Sequence, residues 1–232
     1  MKYLIIHDAR MPEKAVYSLR NYGELLPFIT DGITYEAIAG HPDIFFCPMD
    51  NKLIAAPNVP ESYIRKISGL CSSEIIKGAT PAGREKEDST CYNAVVTGDL
   101  IIHHSSYCDP VILRHKGNRE FLHVPQPYTR CSLLPLKNGR FLTSDHGIEK
   151  ALLVKGLSCL YVDPRHVLLP GFPYGFFGGC AGICQDKVFF SGSLQYHPQG
   201  GDIANYLRVS GYEVVELYPG PLFDVGAILF VE

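Results

Sequence analysis

Five short apolar segments of this chain read alike, and each follows a charged residue. They are Tyr3-Leu4-Ile5-Ile6, Leu53-Ile54-Ala55-Ala56, Leu100-Ile101-Ile102-His103, Phe141-Leu142-Thr143-Ser144 and Val188-Phe189-Phe190-Ser191. Their starts are spaced 50, 47, 41 and 47 residues apart, and the interval that runs through the termini back to residue 3 is again 47. A period of this length that closes on itself predicts a ring of five like units. Before four of the segments stands a second apolar run and a tight turn. These runs are Ile44-Phe45-Phe46, Ala94-Val95-Val96, Leu133 to Leu136 and Gly182 to Cys184, with hairpin-type turn residues such as Asn138-Gly139 after them. The run Gly226 to Phe230 has no anchor after it, and Lys2 to Ile6 has no partner before it, so the two ends of the chain are expected to pair.

A helical stretch follows each anchor: Pro12 to Tyr22, Pro60 to Ser68, Asp109 to Lys116, Ile148 to Lys155 and Asp202 to Val209. Prolines at first turns, Asp-Pro at 109–110 and glycines at 156 and 211 supply start and stop signals. A further apolar strand closes each unit, near Leu25, Glu74, Phe121, Cys159 and Glu213. The repeated order strand, turn, strand, helix, strand predicts an α/β propeller of five blades with pseudo-fivefold symmetry, the N- and C-terminal strands sharing one blade. At 232 residues this is one domain. Thr80 to Thr90 is the most polar stretch and is expected to be a loop. Gly175 to Gly182 is glycine-rich but precedes a strand, which argues against a dinucleotide site and for close packing near the axis.

Composition narrows the function classes. Charged residues are 19% and hydrophobic residues 46%, an ordinary globular balance. A net charge of −3 argues against nucleic acid as a partner. No apolar run reaches the ~20 residues needed to cross a bilayer, and the N-terminus has no leader-like apolar region. The expectation is a cytoplasmic protein with eight free thiols and no membrane partner. There is no C-x-x-C, and Cys180 and Cys184 would lie roughly 13 Å apart on a strand, too far to share a zinc ion. Neither metal nor cofactor is expected.

The residues that lead into the five inner strands are Asp43, Asn93, Cys131, Cys180 and Asp224. In a ring they share one end of the axis, with His41 two residues before Asp43. Asp43 and Asp224 either cap turns or bind a cationic ligand. Cys131 is either a buried small hydrophobe or a nucleophile activated by His41. Asp145 either caps the helix that follows it or faces the pocket. His103 and His104 point to opposite faces, so at most one serves the site, and His197 reads as a loop residue. Phe172, Tyr174, Phe176 and Phe177 either pack in the core or wall the pocket.

The whole chain resembles the pentein, or guanidino-group-modifying-enzyme, superfamily. That superfamily includes arginine and agmatine deiminases, dimethylarginine dimethylaminohydrolases, amidinotransferases and a non-enzymatic ribosome anti-association factor. Pro42-Asp43-Ile44-Phe45-Phe46 is similar to a P-D-x-x-F pattern before the second blade, and Gly220-Pro221-Leu222-Phe223-Asp224 to the segment that carries the nucleophile. The resemblance implies a cysteine nucleophile, a histidine acid/base and acidic residues on a guanidinium. The matching positions here depart from it: Asp224 stands where cysteine is expected, Thr129-Arg130-Cys131 where His-x-Asp is, and Asn93 ends the Glu-Gly-Gly-Asp counterpart. Two functions follow. One is binding of a small cationic, guanidino- or amidino-like ligand at the ring centre, through Asp43, Asn93, Asp145, Cys180 and Asp224. The other is a divergent hydrolase or deiminase with Cys131 as nucleophile and His41 as acid/base, or else a non-catalytic protein-binding module.

Overall fold

The computed structural model describes residues 3–232. Lys2, expected to open the first anchor strand, lies outside the described residues. The fold is mixed α/β and built from small sheets. Each of the five anchors is the middle strand of a three-stranded sheet. The anchors are Tyr3–Asp8, Lys52–Ala55, Leu100–His103, Arg140–Thr143 and Lys187–Phe190. Every anchor pairs antiparallel with one neighbour and parallel with the other.

The antiparallel partners are Phe46–Met49, Val95–Val96, Leu133–Pro135, Ala181–Cys184 and Leu229–Val231. The last belongs to the first anchor: Leu4 faces Val231, Ile5 faces Phe230 and Ile6 faces Leu229. Strands near the two ends of the described chain therefore lie in one sheet. The parallel partners are Gly23–Phe28, Glu74–Lys77, Glu120–His123, Ser158–Tyr161 and Glu213–Glu216. A parallel partner needs a crossover, and the helices Glu13–Leu19, Glu61–Leu70, Pro110–Arg114, His146–Val154 and Gly200–Val209 supply it. A sixth, two-stranded sheet pairs Val167–Leu168 with Leu222–Phe223.

Local sequence explains the joints. Three hairpins turn through a residue in the left-handed region: Asp50 (φ 53°), Asn138 (φ 59°) and Gln185 (φ 57°). Asp and Asn tolerate that conformation better than most residues, so it recurs where the repeats correspond. Asp109 caps its helix by accepting from Val111 N at 2.8 Å, and proline follows it in the first turn. The anchors are apolar on both faces because both faces are buried in the core. Leu4, Ile5, Ile6, Leu53, Ile54, Ile101, Ile102, Leu142, Val188 and Phe190 have no exposed surface.

Side chains from the antiparallel strand of each three-stranded sheet, among them Pro48, Val95, Pro135, Ile183 and Leu229, line a common cavity of about 210 Å³. The five inner strands thus converge. Arg130 lies in the same cavity and donates to Gly178 O (2.8 Å) and Ala181 O (3.0 Å).

Three details differ from the sequence reading. Ile44 and Phe45 sit in a helical turn, Pro42–Phe45, ahead of the strand. Cys131 sits in the turn Thr129–Ser132, and Cys180 in the 3₁₀ turn Gly178–Cys180. A short buried apolar run reads the same as strand or helical turn, so periodicity could not separate them. The polar stretch 80–90 contains a short helix, Lys86–Ser89.

Candidate functional site

Helical turns directly precede three of the inner strands, and two of them, Pro42–Phe45 and Thr129–Ser132, deliver polar side chains to one spot. His41 precedes the turn Pro42–Phe45, and Asp43 lies within it, its N–H donating to Gly226 O at 3.1 Å. Cys131 comes from the corresponding turn two units on. Its thiol lies 3.0 Å from Asp43 Oδ2. Asn93 locks the pair. Its amide donates to Cys131 Sγ (3.2 Å) and to Asp43 O (3.1 Å), while its Oδ1 accepts from Cys131 N (3.1 Å). Donor atoms of His41, Asp43 and Cys131 all lie within 4.8 Å of one another.

Asp224 faces the imidazole from the other side: its Oδ1 is 4.0 Å from His41 Nδ1. The carboxylate is held by two backbone donors, Phe176 N at 2.8 Å and Gly226 N at 3.0 Å. The chain around it is conformationally specialised. Gly226 (φ 63°) and Ala227 (φ 67°) are consecutive left-handed residues. Alanine in that region costs about 1–2 kcal/mol, which the surrounding packing must offset. A Cβ at Gly226 would overlap His41, and one at Gly179 would overlap the Asp224 carboxylate. The glycine-rich stretch is therefore a close-packing device at this end of the inner strands, as its sequence suggested.

Asp8, which the sequence reading did not single out, completes the group. Its Oδ2 lies 3.8 Å from His41 Nε2. Arg10 grips the same carboxylate with Nε on Oδ1 (3.0 Å) and a terminal nitrogen on Oδ2 (2.6 Å). The guanidinium is further tied to Glu36 O and Ala37 O, at 2.5 and 3.0 Å. Asp8 ends the first anchor strand, so only its place at the outgoing end of that strand could have marked it.

Burial sets the protonation states. Asp43 and Asp224 have less than 2% of their surface exposed, and desolvation pushes both carboxyls up from the ordinary value. Burial lowers His41, although Asp224 and Asp8 pull it the other way. The Cys131 thiol is pushed well up by burial and then by the Asp43 and Asp224 charges. The resting site thus holds a neutral imidazole and a protonated thiol.

A cavity of about 470 Å³ opens beside this cluster, lined by Asp8, Arg10, Tyr35, His41, Phe172 and Asp224 among others. Tyr35 and Phe172 form its aromatic wall, with ring centroids 5.9 Å apart. A larger groove of about 900 Å³ runs past His7 and Tyr17, but the cluster of buried acids does not reach it.

The structure brings together His41, Asp43, Asn93, Cys131 and Asp224, though only His41 and Asp224 line the 470 Å³ cavity. Two other candidates go elsewhere. Asp145 caps its helix, accepting from Ile148 N at 2.9 Å and from Gln126 Nε2 at 3.1 Å. Cys180 is buried in a core cluster and its thiol donates to Phe177 O at 2.8 Å, a bond within its own turn. His103 is buried against Thr129, and His197 is bonded to Asp163 O. Of the aromatic set, Phe172 walls the cavity, the Phe176 ring stacks on Tyr128, Phe177 is core, and Tyr174 is exposed.

The arrangement of these sheets is the pentein fold, shared with guanidino-group-modifying enzymes. Dimethylarginine dimethylaminohydrolase from Pseudomonas aeruginosa, solved as a mutant complexed with citrulline, superimposes with a TM-score of 0.58 at 10% identity. That match covers 93% of this chain and 92% of the enzyme. SxtG, an amidinotransferase of saxitoxin biosynthesis from Microseira wollei, gives 0.54 at 11% identity over 91% of this chain and 87% of its own. The inosamine-phosphate amidinotransferase StrB1 from Streptomyces griseus gives 0.51 at 9% identity, covering 94% and 88%. By sequence the chain belongs to a family of unknown function, DUF6873, matched over residues 6–229. No curated protein matches its sequence significantly.

Proposed function

We propose that this protein is a single five-bladed pentein domain that binds a small cationic ligand, guanidino- or amidino-like, at the centre of the ring. The observation that carries the reading is Asp224. Its carboxylate is almost fully buried, yet it lines an aromatic-walled cavity. Asp8 beside it is already engaged by Arg10, so Asp224 is the acid free to meet an incoming cation. A planar cation laid against the aromatic wall of Tyr35 and Phe172 would gain from a ring face as well as from the carboxylate. About 470 Å³ suits a ligand of amino-acid or amidine size.

The reading does not include the usual pentein reaction. Asp224 stands where the nucleophile is expected, and Cys131, the displaced candidate, is buried beside a carboxylate that disfavours thiolate. Ligand binding without the standard triad follows. The same reading places the protein in the cytoplasm, where its eight thiols stay reduced, with neither nucleic acid nor membrane as partner. No helix among the described residues is long and apolar enough to cross a membrane.

Calorimetric titration with agmatine, arginine and free guanidinium tests the proposal. A hydrogen bond to a charged group contributes about 1.5–3 kcal/mol, so Asp224→Asn should weaken binding about 10- to 100-fold. No heat from any of the three at millimolar concentration, or equal binding by the variant, would overturn it.

A further inference from the structure

We propose that His41, Asp43 and Cys131 form a binding site for one thiophilic divalent transition-metal ion of the zinc class. The ligand set is chemically coherent: imidazole nitrogen, carboxylate oxygen and thiolate sulfur are the three donor types that zinc takes from proteins. Tetrahedral zinc, with bonds of about 2.0–2.3 Å, sets its donors roughly 3.3–3.6 Å apart. Here Sγ and Oδ2 are 3.0 Å apart and all three donors fall within 4.8 Å, a spread that bracketing side-chain rotations can close.

Unpaired polar atoms within the set point to a ligand. His41 Nδ1 and Asp43 Oδ1 are both buried and have no hydrogen-bond partner among the described residues. Their side chains are 1% exposed as whole residues, so bulk water does not serve them. Native proteins rarely leave such atoms unpaired, and an unseen ion is one of the standard reasons when they do. A dication between one carboxylate and one thiolate makes a neutral unit, and the buried Arg130 guanidinium, which also acts on Asp43 and Cys131, is set against the Asp224 charge. On binding, the Cys131 S–H bond breaks, the sulfur–metal bond forms, and the proton leaves to solvent.

The outer shell is already built. Asn93 donates one N–H to the sulfur and fixes the Cys131 backbone through its oxygen. Hydrogen bonds of this kind orient metal ligands. A fourth donor completes the coordination, either water or Asp224 Oδ1, which stands 4.0 Å from His41 Nδ1. His41 also lines the 470 Å³ cavity, which gives the ion a way in. Cysteine spacing does not mark this site, because the set combines Cys131 from one unit with His41 and Asp43 from another.

The purified full chain should be loaded with Co(II), desalted, and read by metal analysis and absorption. The expected result is one retained equivalent and a thiolate-to-cobalt charge-transfer band, with retention and band lost in Cys131→Ser and kept in Cys184→Ser. Zinc should displace the band. If Cys131→Ser does not fold by circular dichroism, His41→Gln takes its place, with the same expected loss. No charge-transfer band in the wild type, or a band that survives removal of its ligand, would overturn the site. Neither result depends on whether a guanidinium ligand binds at Asp224.

Discussion

Acid should weaken this protein through His103, by an amount that can be worked out. The imidazole has no exposed surface. Its Nδ1 lies 2.9 Å from Thr129 Oγ1, and that hydroxyl already donates to Gln126 O at 2.7 Å. Nδ1 must therefore carry the proton, which leaves Nε2 bare. Nε2 is buried and makes no hydrogen bond among the described residues, so protonating it would bury a charge that the nearby Thr90 backbone only partly offsets. Burial accordingly lowers His103 from 6.5 to about 3. With the folded value depressed, the unfolded chain takes up the proton first. Stability from this group is whole above pH 6.5, falls as pH drops below it, and stops falling near pH 3. At pH 5 the loss is about 1.5 pH units at 1.36 kcal/mol each, roughly 2 kcal/mol. That corresponds to about 4–8 °C in Tm for a domain of this size. Asp43 and Asp224 act in the opposite sense, since raised carboxyls favour the folded state as pH falls through their range. A comparison isolates His103 from them. Urea unfolding of wild type and His103→Gln at pH 7 and pH 5 should show the wild type losing about 2 kcal/mol more than the variant on acidification. Equal losses would refute the tautomer and burial argument.

Two further outcomes rest on other parts of the fold. Asp109 accepts from Ala79 N, Thr80 N and Val111 N at 3.0, 2.8 and 2.8 Å, stitching a loop to a helix start. Asp109→Ala leaves three backbone donors without an acceptor, at about 1–3 kcal/mol each. Denaturant unfolding should show a loss of about 3–9 kcal/mol, and a loss under ~1 kcal/mol would mean that water replaces the carboxylate without cost. Alkylation with iodoacetamide in the native state at neutral pH should reach the half-buried Cys71 and Cys184 first and leave Cys131 and Cys180 unmodified. Rapid, selective labelling of Cys131, read by peptide mass mapping, would contradict its protonated state and restore the nucleophile reading.

Much of the architecture could be read along the chain because it repeats. An apolar anchor after a charged residue, a hairpin turn before it and a helix after it are each specified by neighbours in sequence, and their recurrence pointed to closure through Leu4–Val231, Ile5–Phe230 and Ile6–Leu229. Hydrophobic patterning and turn chemistry act over a few residues, so they survive without tertiary information. The positions of Asp43, Asn93, Cys131 and Asp224 followed from the same repeat, since corresponding residues of like units arrive at one place. What each of them touches was decided only by three-dimensional contacts. Asp145 and Cys180 occupy comparable sequence positions, yet one became a helix cap and the other bonded within its own turn. Asp8 carried no local signal, and joined the site because the end of its strand meets His41 and Arg10. Whether a polar side chain caps a helix, pairs with a neighbour or remains unpaired depends on atoms tens to hundreds of residues away, and no local pattern encodes that choice.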